Sequence, residues 1–181
     1  MGLFCLGCSS NAQNRTSDQS VKNDKHILVA YFSCTGTTEK VAEAIASAID
    51  GELYRITPAE AYTAADLNWH DRQSRSSVEM TTETSRPELA GEKLDADAYD
   101  VILLGYPIWW DLCPRPVNSF IEQYQFAGKR VIPFATSGGS SITNSVKTLQ
   151  KLYPAIHWQA GKLLNGGPKQ AADWAKQTIA E

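Results

Sequence analysis

The 181-residue chain lacks the features that mark several common classes of protein. Its few cysteines have no spacing typical of a zinc site, and they do not suggest a disulfide framework. They are Cys5, Cys8, Cys34 and Cys113. The longest apolar stretch, residues 101–110, is broken by a glycine and a proline and is far shorter than the roughly 20 residues of a membrane-spanning helix. The sequence therefore predicts neither a structural metal nor a transmembrane segment.

The chain also lacks a large excess of charge of either sign. Seventeen basic residues stand against 20 acidic residues, which gives a formal net charge of −3. This balance excludes a strongly basic nucleic-acid-binding protein. It also excludes the strongly acidic surface that many small electron carriers use to steer towards their partners. With 43% hydrophobic and 20% charged residues, the chain has the composition and the length of one globular domain.

The first 25 residues differ in composition from the remainder. Residues 9–25 are rich in Ser, Asn, Gln and Asp and have no apolar periodicity, which predicts a flexible leader before one domain over residues 26–181. The pattern Leu-Gly-Cys-Ser-Ser at residues 6–10 resembles the end of a bacterial lipoprotein signal, although no basic or fully apolar segment precedes it. Two alternatives stay open: a cytoplasmic protein with a disordered leader, or a cell-envelope lipoprotein that carries lipid on Cys8.

The body of the chain alternates between strand patterns and helix patterns. Continuous apolar runs at residues 27–32, 101–104 and 131–135 indicate strands that are buried on both faces, as in a parallel sheet. Shorter strands are predicted at residues 52–56 and around residues 156–164. Apolar positions recur with helical spacing in four segments, which are residues 41–49, 117–124, 142–149 and 171–179. This order predicts a three-layer α/β sandwich with right-handed crossovers.

One long polar segment, residues 58–93, interrupts this alternation. It contains one short helical candidate, residues 63–71, and three arginines that can be interpreted as solvated charges or as an anchor for a second substrate. The arginines are Arg72, Arg75 and Arg86. Because so long a connection is uncommon in a compact domain unless it has a function, we expect this segment to be functional.

The chemistry is expected in the loops that follow the strands, since ligands of open parallel sheets lie beyond the carboxyl ends of the strands. The first such loop leads directly into a helix and combines hydroxyl groups with a glycine. It consists of Ser33, Cys34, Thr35, Gly36, Thr37 and Thr38. Hydroxyls and backbone N–H groups at a helix N-terminus can bind a phosphate without a lysine or arginine. An ordinary helix cap is the alternative interpretation.

Two further loops have compositions suited to a flat ligand. One brings two adjacent tryptophans out of a strand, which predicts an aromatic wall for a conjugated ring. Its positions are Pro107, Ile108, Trp109 and Trp110. The other has small residues that let a ligand approach the backbone closely. Its positions are Thr136, Ser137, Gly138 and Gly139. The alternatives are a core tryptophan beside a lid, and a loop that is merely flexible.

Three segments together carry a family resemblance. Residues 31–38 (YFSCTGTT), 105–110 (GYPIWW) and 133–139 (PFATSGG) resemble the flavodoxin-like family of FMN-binding proteins, and the resemblance covers essentially all of residues 26–181. It implies a five-stranded parallel sheet of order 2-1-3-4-5. It also implies that the first loop binds the FMN phosphate and that the other two flank the isoalloxazine ring. The polar segment resembles the long insertion of one flavodoxin-like subgroup.

The resemblance implies redox chemistry that FMN itself supplies, and it leaves two functions open. The first is electron transfer to redox partner proteins, which is favoured because no recognisable second-substrate motif accompanies the three loops. The second is an FMN-dependent oxidoreductase that takes hydride from NAD(P)H and passes it to a quinone-like acceptor. Neither function requires a catalytic acid or base in these loops, so the predicted residues have binding roles only.

Cys34 suggests a third and more remote function. A cysteine between a strand and a helix is similar to the nucleophile of low-molecular-weight tyrosine phosphatases, whose motif places an arginine six positions later. Here Lys40 occupies that position and lacks the planar fork with which arginine binds a phosphate. The sequence therefore disfavours a cysteine-dependent phosphatase.

Overall fold

A mainly parallel sheet organises the residues that the structure describes, which are 1–2, 26–91 and 93–180 of this computed structural model. The lipoprotein-like pattern around Cys8, and all but the first two residues of the predicted leader, lie outside these ranges. Within them, no helix combines the length and the apolar composition needed to cross a membrane.

Strands and helices alternate along the chain. The strands are β1 (Ile27–Tyr31), β2 (Glu52–Arg55), β3 (Thr57–Pro58), β4 (Leu89–Ala90), β5 (Val101–Pro107), β6 (Arg130–Thr136), β7 (His157–Trp158) and β8 (Lys162–Leu163). The helices are α1 (Thr37–Ile49), α2 (Arg75–Thr81), α3 (Arg115–Tyr124), α4 (Thr143–Leu152) and α5 (Pro168–Ala180), with one 3-10 turn at Ala96–Ala98. The four predicted helical stripes therefore correspond to α1, α3, α4 and α5.

The main sheet has the strand order β2-β1-β5-β6-β7, and β8 pairs with β6 beyond the end of β7. Every pair in this sheet is parallel. The predicted α/β class is confirmed. The sheet order 2-1-3-4-5 is also found, because β5 and β6 are the third and fourth strands and β7 with β8 fills the fifth position.

The sheet divides the core into two layers. Alternate residues of β1 point to opposite faces, so Leu28 and Ala30 lie in one apolar cluster while Val29 and Tyr31 lie in the other. The first cluster includes side chains of α3 and α4, and the second includes side chains of α1 and α5. The central strands β1, β5 and β6 are buried almost completely, which explains their continuous apolar sequences.

The fifth strand is interrupted, where the sequence predicts one strand around residues 156–164. Val131 accepts a hydrogen bond from the N–H of Gln159 at 2.9 Å, and Ala135 accepts one from Leu164 at 2.8 Å. Since backbone groups alternate along a strand, Pro133 faces the same neighbour, and it has no N–H to donate. The ladder is therefore split into β7 and β8.

The insertion, residues 58–91, has a different helix from the predicted one. Residues 63–71 form only turns, because side chains there bind the local backbone instead of allowing a helix to extend. Thr63 and Asp66 bond each other's backbone N–H groups, and Asn68 accepts from the N–H of His70. The helix α2 begins later, where the Ser74 hydroxyl accepts from the Ser77 N–H at 3.3 Å and caps it.

Candidate functional site

The three predicted loops meet at the carboxyl ends of β1, β5 and β6 and are linked through Thr136. The Thr136 hydroxyl lies 2.8 Å from the Thr38 hydroxyl, which joins the first loop to the third. The Thr136 carbonyl accepts from the N–H of Ile108 at 2.9 Å, which joins the second loop to the third. Thr38 and Thr136 are both buried, so this connection lies beneath the surface of the site.

The first loop presents hydroxyl groups at the start of α1. Gly36 has φ +83°, a backbone conformation that residues with a side chain rarely adopt. Its N–H donates to the Ser33 hydroxyl at 3.1 Å. The Thr35 and Thr37 hydroxyls are exposed and lie 3.4 Å apart. Among the described residues no side chain caps α1, so the first N–H groups of this 13-residue helix are left without a capping partner beside these hydroxyls.

A cation that the sequence analysis did not select also lies at this loop. Arg55, which pairs with Tyr31 in the register of β2 and β1, donates from Nη2 to the Ser33 carbonyl at 3.4 Å. Its Nη1 donates to Glu39 Oε1 at 3.1 Å, and the Tyr31 hydroxyl donates to the same oxygen at 2.8 Å. Glu39 lies in the first turn of α1, and these two donors offset its negative charge.

The second loop contains a tight turn that separates the two tryptophans. Trp109 and Leu112 exchange backbone hydrogen bonds at 3.0 and 2.9 Å across Trp110 and Asp111. Both central residues have positive φ, 45° and 63°, which is the pattern of a type I′ turn. A bulky residue such as tryptophan is rare in this conformation. The turn leaves 46% of Trp110 exposed at the rim of the site.

Trp109 packs into an aromatic cluster that includes a residue of the insertion. Its ring lies edge-on to Phe32, with centroids 5.6 Å apart, and edge-on to Tyr62, with centroids 5.5 Å apart. Phe32 and Tyr62 are themselves edge-on at 5.9 Å. The paired tryptophans therefore differ: Trp109 is half-buried against the core, and Trp110 is exposed.

The third loop is held by its own serine and by an asparagine from the end of the sheet. The Ser137 hydroxyl accepts from the N–H groups of Gly139 and Ser140 at 3.1 and 2.8 Å. Asn165 binds the backbone of Ser137 twice, accepting from its N–H at 3.0 Å and donating to its carbonyl at 2.8 Å. Gly138 and Gly139 face open space. Asn165 was not selected from the sequence, and its position two residues after the last strand is the signal that could have found it.

Two of the three arginines of the insertion, Arg75 and Arg86, form ion pairs, whereas Arg72 is exposed as a solvated charge would be. Arg75 donates from Nε to Glu79 at 2.7 Å and lies over the Tyr62 ring, with its guanidinium carbon 4.1 Å from the ring centre. Arg86 donates to Glu122 of α3 at 2.8 Å. Of the three, only Arg72 is fully exposed.

Known proteins resemble this chain over most of its length. The family model described as Flavodoxin matches residues 26–178. A solved structure of a candidate flavoprotein from Bacteroides eggerthii is 51% identical, with a TM-score of 0.81 over 87% of this chain and 99% of that chain. Another, from Bacteroides uniformis, is 54% identical, with a TM-score of 0.80 over the same shares. The chain belongs to the flavodoxin family.

A more distant solved structure has the same flavodoxin fold. It is a flavoprotein of Lactobacillus acidophilus in complex with FMN, 24% identical, with a TM-score of 0.70 over 87% of this chain and 99% of that chain. No curated protein matches the chain.

Within this flavodoxin site, Cys34 has the opposite chemistry to a phosphatase nucleophile. Burial raises the pKa of its thiol from 9.0 to about 11, although the guanidinium groups of Arg55 and Arg75 act in the other direction. A nucleophilic cysteine needs a lowered pKa, since the thiolate is the reactive form. Cys34 therefore fits a packing role in the loop of a flavodoxin better than covalent catalysis.

This pKa predicts slow alkylation of Cys34. At pH 7.5, iodoacetamide should modify it about 100-fold more slowly than an unshifted thiol, because the thiolate fraction falls tenfold for each unit by which the pKa rises. The rate should increase with pH up to about 11. Peptide mass spectrometry can follow Cys34 separately from the other cysteines. Rapid modification at neutral pH would contradict this account of the thiol.

Proposed function

We propose that the protein binds one FMN at the three loops and acts in electron transfer with redox partner proteins. The observation that carries the proposal is the meeting of exposed hydroxyls, a left-handed glycine and two tryptophans at one edge of the sheet, with Thr136 linking all three loops. The FMN complex of the Lactobacillus acidophilus relative supports the choice of this cofactor.

The first loop suits the phosphate group of FMN. Thr35 and Thr37 offer exposed hydroxyl donors, and the uncapped start of α1 directs backbone N–H groups to the same place. Arg55 adds a positive charge beside the loop, while Glu39 is occupied by Arg55 and Tyr31. The donor set therefore fits a dianion, which needs several N–H or O–H groups around it.

The other two loops suit a flat ring system. Trp109 and Trp110 supply aromatic surface, and Gly138 and Gly139 leave the backbone opposite accessible. FMN, when bound, supplies the redox chemistry, whereas the chain supplies orientation and electrostatics. The exposed Trp110 marks the side from which a partner protein can approach the ring.

The hydride-transfer alternative has less support in the insertion. An NAD(P)H site needs an anchor for the phosphate or ribose of the nicotinamide nucleotide, and the arginines of the insertion are the candidates. Arg75 and Arg86 are both engaged in ion pairs, with Glu79 and Glu122, which leaves Arg72 for that role. This favours electron transfer between proteins.

We expect purified protein to bind FMN at a 1:1 ratio and to discriminate against FAD. In the described part of the chain one loop is suited to a phosphate and none is suited to a pyrophosphate, so the adenylate of FAD would have no partner there. Isothermal titration of the apoprotein with FMN, FAD and riboflavin measures this directly. Preference for FAD, or no binding of any flavin, would overturn the proposed cofactor.

Anaerobic mixing separates electron transfer from hydride transfer. The FMN-loaded protein should react slowly with NADH and NADPH, and should be reduced readily by a one-electron donor such as reduced methyl viologen. Loss of the flavin absorbance within seconds of adding NADPH, followed by turnover with a quinone, would favour the oxidoreductase. The variant Arg72→Ala then shows whether Arg72 anchors the nucleotide.

A further inference from the structure

The insertion contains an ion pair between a half-buried arginine and a buried glutamate. The side chains of Arg75 and Glu79 are 22% and 10% exposed, and their Nε and Oε1 atoms lie 2.7 Å apart. Tyr62 completes the unit, since its hydroxyl donates to the second oxygen of Glu79 and its ring lies beneath the guanidinium group. Arg75 also donates to the Glu60 carbonyl at 2.9 Å. Each charge therefore has a defined partner.

This unit contacts the proposed flavin site through Tyr62 and lies near its first loop. Tyr62 contacts Trp109 of the second loop and Phe32 at the end of β1. Cys34 of the first loop lies close enough for Arg75 and Glu79 to act on its pKa in opposite directions. The charged pair thus stands beside both the predicted phosphate loop and the predicted ring-binding loop.

A buried arginine attaches α2 of the insertion to the start of α3. Arg115, the first residue of α3, is 4% exposed and donates to the carbonyls of Glu79 and Met80 at 3.1 and 2.9 Å. These are carbonyls at the C-terminal end of α2, where a cation is favoured. The insertion is therefore held against the site by buried contacts.

We propose that Tyr62, Arg75 and Glu79 are positioning residues that form the insertion side of the FMN site, and that the pairing of the Arg75 and Glu79 charges keeps either charge alone from shifting the redox potential of the bound cofactor. The proposal rests on the proposed FMN binding. Reduced FMN carries one more negative charge than oxidised FMN near neutral pH. A neutral Arg75–Glu79 pair has little net effect on this charge, whereas either partner alone would stabilise or oppose it.

Removing the negative charge of Glu79 and removing the positive charge of Arg75 should therefore change the affinity for reduced relative to oxidised FMN in opposite directions. In Glu79→Gln the positive Arg75 is left, so reduced FMN should bind more tightly relative to oxidised FMN, by about three- to tenfold. In Arg75→Met the negative Glu79 is left, so the ratio should move by a similar factor in the other direction. The double variant Arg75→Met/Glu79→Gln should return to within about twofold of the original protein.

The measurement is the midpoint potential of bound FMN, from anaerobic titration against a reference dye, together with the dissociation constant of oxidised FMN. A loss of packing alone would move both single variants in the same direction. Arg86 and Glu122 provide the matched control pair, since they form an ion pair of 2.8 Å whose glutamate lies seven residues, about 10 Å, along α3 from Arg115. Arg86→Met and Glu122→Gln should leave the potential unchanged.

The outcomes separate this proposal from the proposed function. If the original protein fails to bind FMN, the proposed function falls and this inference falls with it. If it binds FMN but the two single variants shift the potential together, or no more than the control pair, only this inference is wrong. Should one single variant fail to fold, the other is compared with the double variant. The proposal would be overturned if the double variant shifted the midpoint potential of bound FMN as far from that of the original protein as the single variant does.

Discussion

Replacing Thr35 and Thr37 by valine is expected to weaken FMN binding at least about 100-fold while riboflavin binding changes by about twofold or less. Both hydroxyls are exposed at the first loop, and hydrogen bonds to a charged group contribute about 1.5–3 kcal/mol each. Riboflavin has the same ring but no phosphate, so its affinity should not depend on these two hydroxyls. Titration of the apoprotein with both ligands gives the two ratios.

The serine double variant is the matched control for this experiment. Thr35→Ser and Thr37→Ser keep both hydroxyls and remove only methyl groups, so FMN affinity should stay within about fivefold. Neither change should lower the melting temperature, because neither side chain is buried. Equal losses for FMN and riboflavin in the valine variant would show that the first loop does not bind the phosphate.

The variant Gly105→Ala should destabilise the apoprotein by about 3 kcal/mol. A Cβ atom at this position in β5 would lie 2.2 Å from Cζ and 2.4 Å from Cε2 of Phe134 in the neighbouring strand β6. The Phe134 ring is fully buried and packs against Trp174 of α5, so it has no space into which to move. Thermal unfolding should show a melting temperature lower by about 6–12 °C.

Gly139→Ala is the corresponding control, because its Cβ would contact nothing within 4 Å and its φ is not positive. Its effect on stability should stay within about 0.5 kcal/mol. A melting temperature for Gly105→Ala equal to that of the Gly139 variant would show that the strands can separate to admit a methyl group.

The strands and the amphipathic helices could be predicted because a buried strand or helix face requires apolar residues at every buried position. The strand β1 is apolar at every position since both its faces are covered. The break in the fifth strand was also encoded, in Pro133, but its effect depends on which side of β6 the missing N–H faces. That side is defined only once the strand order is known.

The residues around the site were harder to predict because they come from distant parts of the chain. Arg55 reaches the first loop only because the parallel register places it opposite Tyr31. The helix α2 has too few apolar residues for a clear periodicity, and it is held instead by Arg115 and by the Ser74 cap. Interactions of this kind depend on tertiary contacts, which local sequence patterns do not report.

The short strands β3 and β4 join the two ends of the insertion, so this segment can vary without changing the main sheet. They pair antiparallel, with Thr57 opposite Ala90 and Pro58 opposite Leu89, so the segment leaves and rejoins the fold at one point. Changes in the length of such a segment cost little in loop-closure entropy. Evolution can thus replace this segment, and with it one side of the proposed FMN site, while the parallel sheet keeps its register. Divergence of partner choice among related chains would then be sought first in this segment.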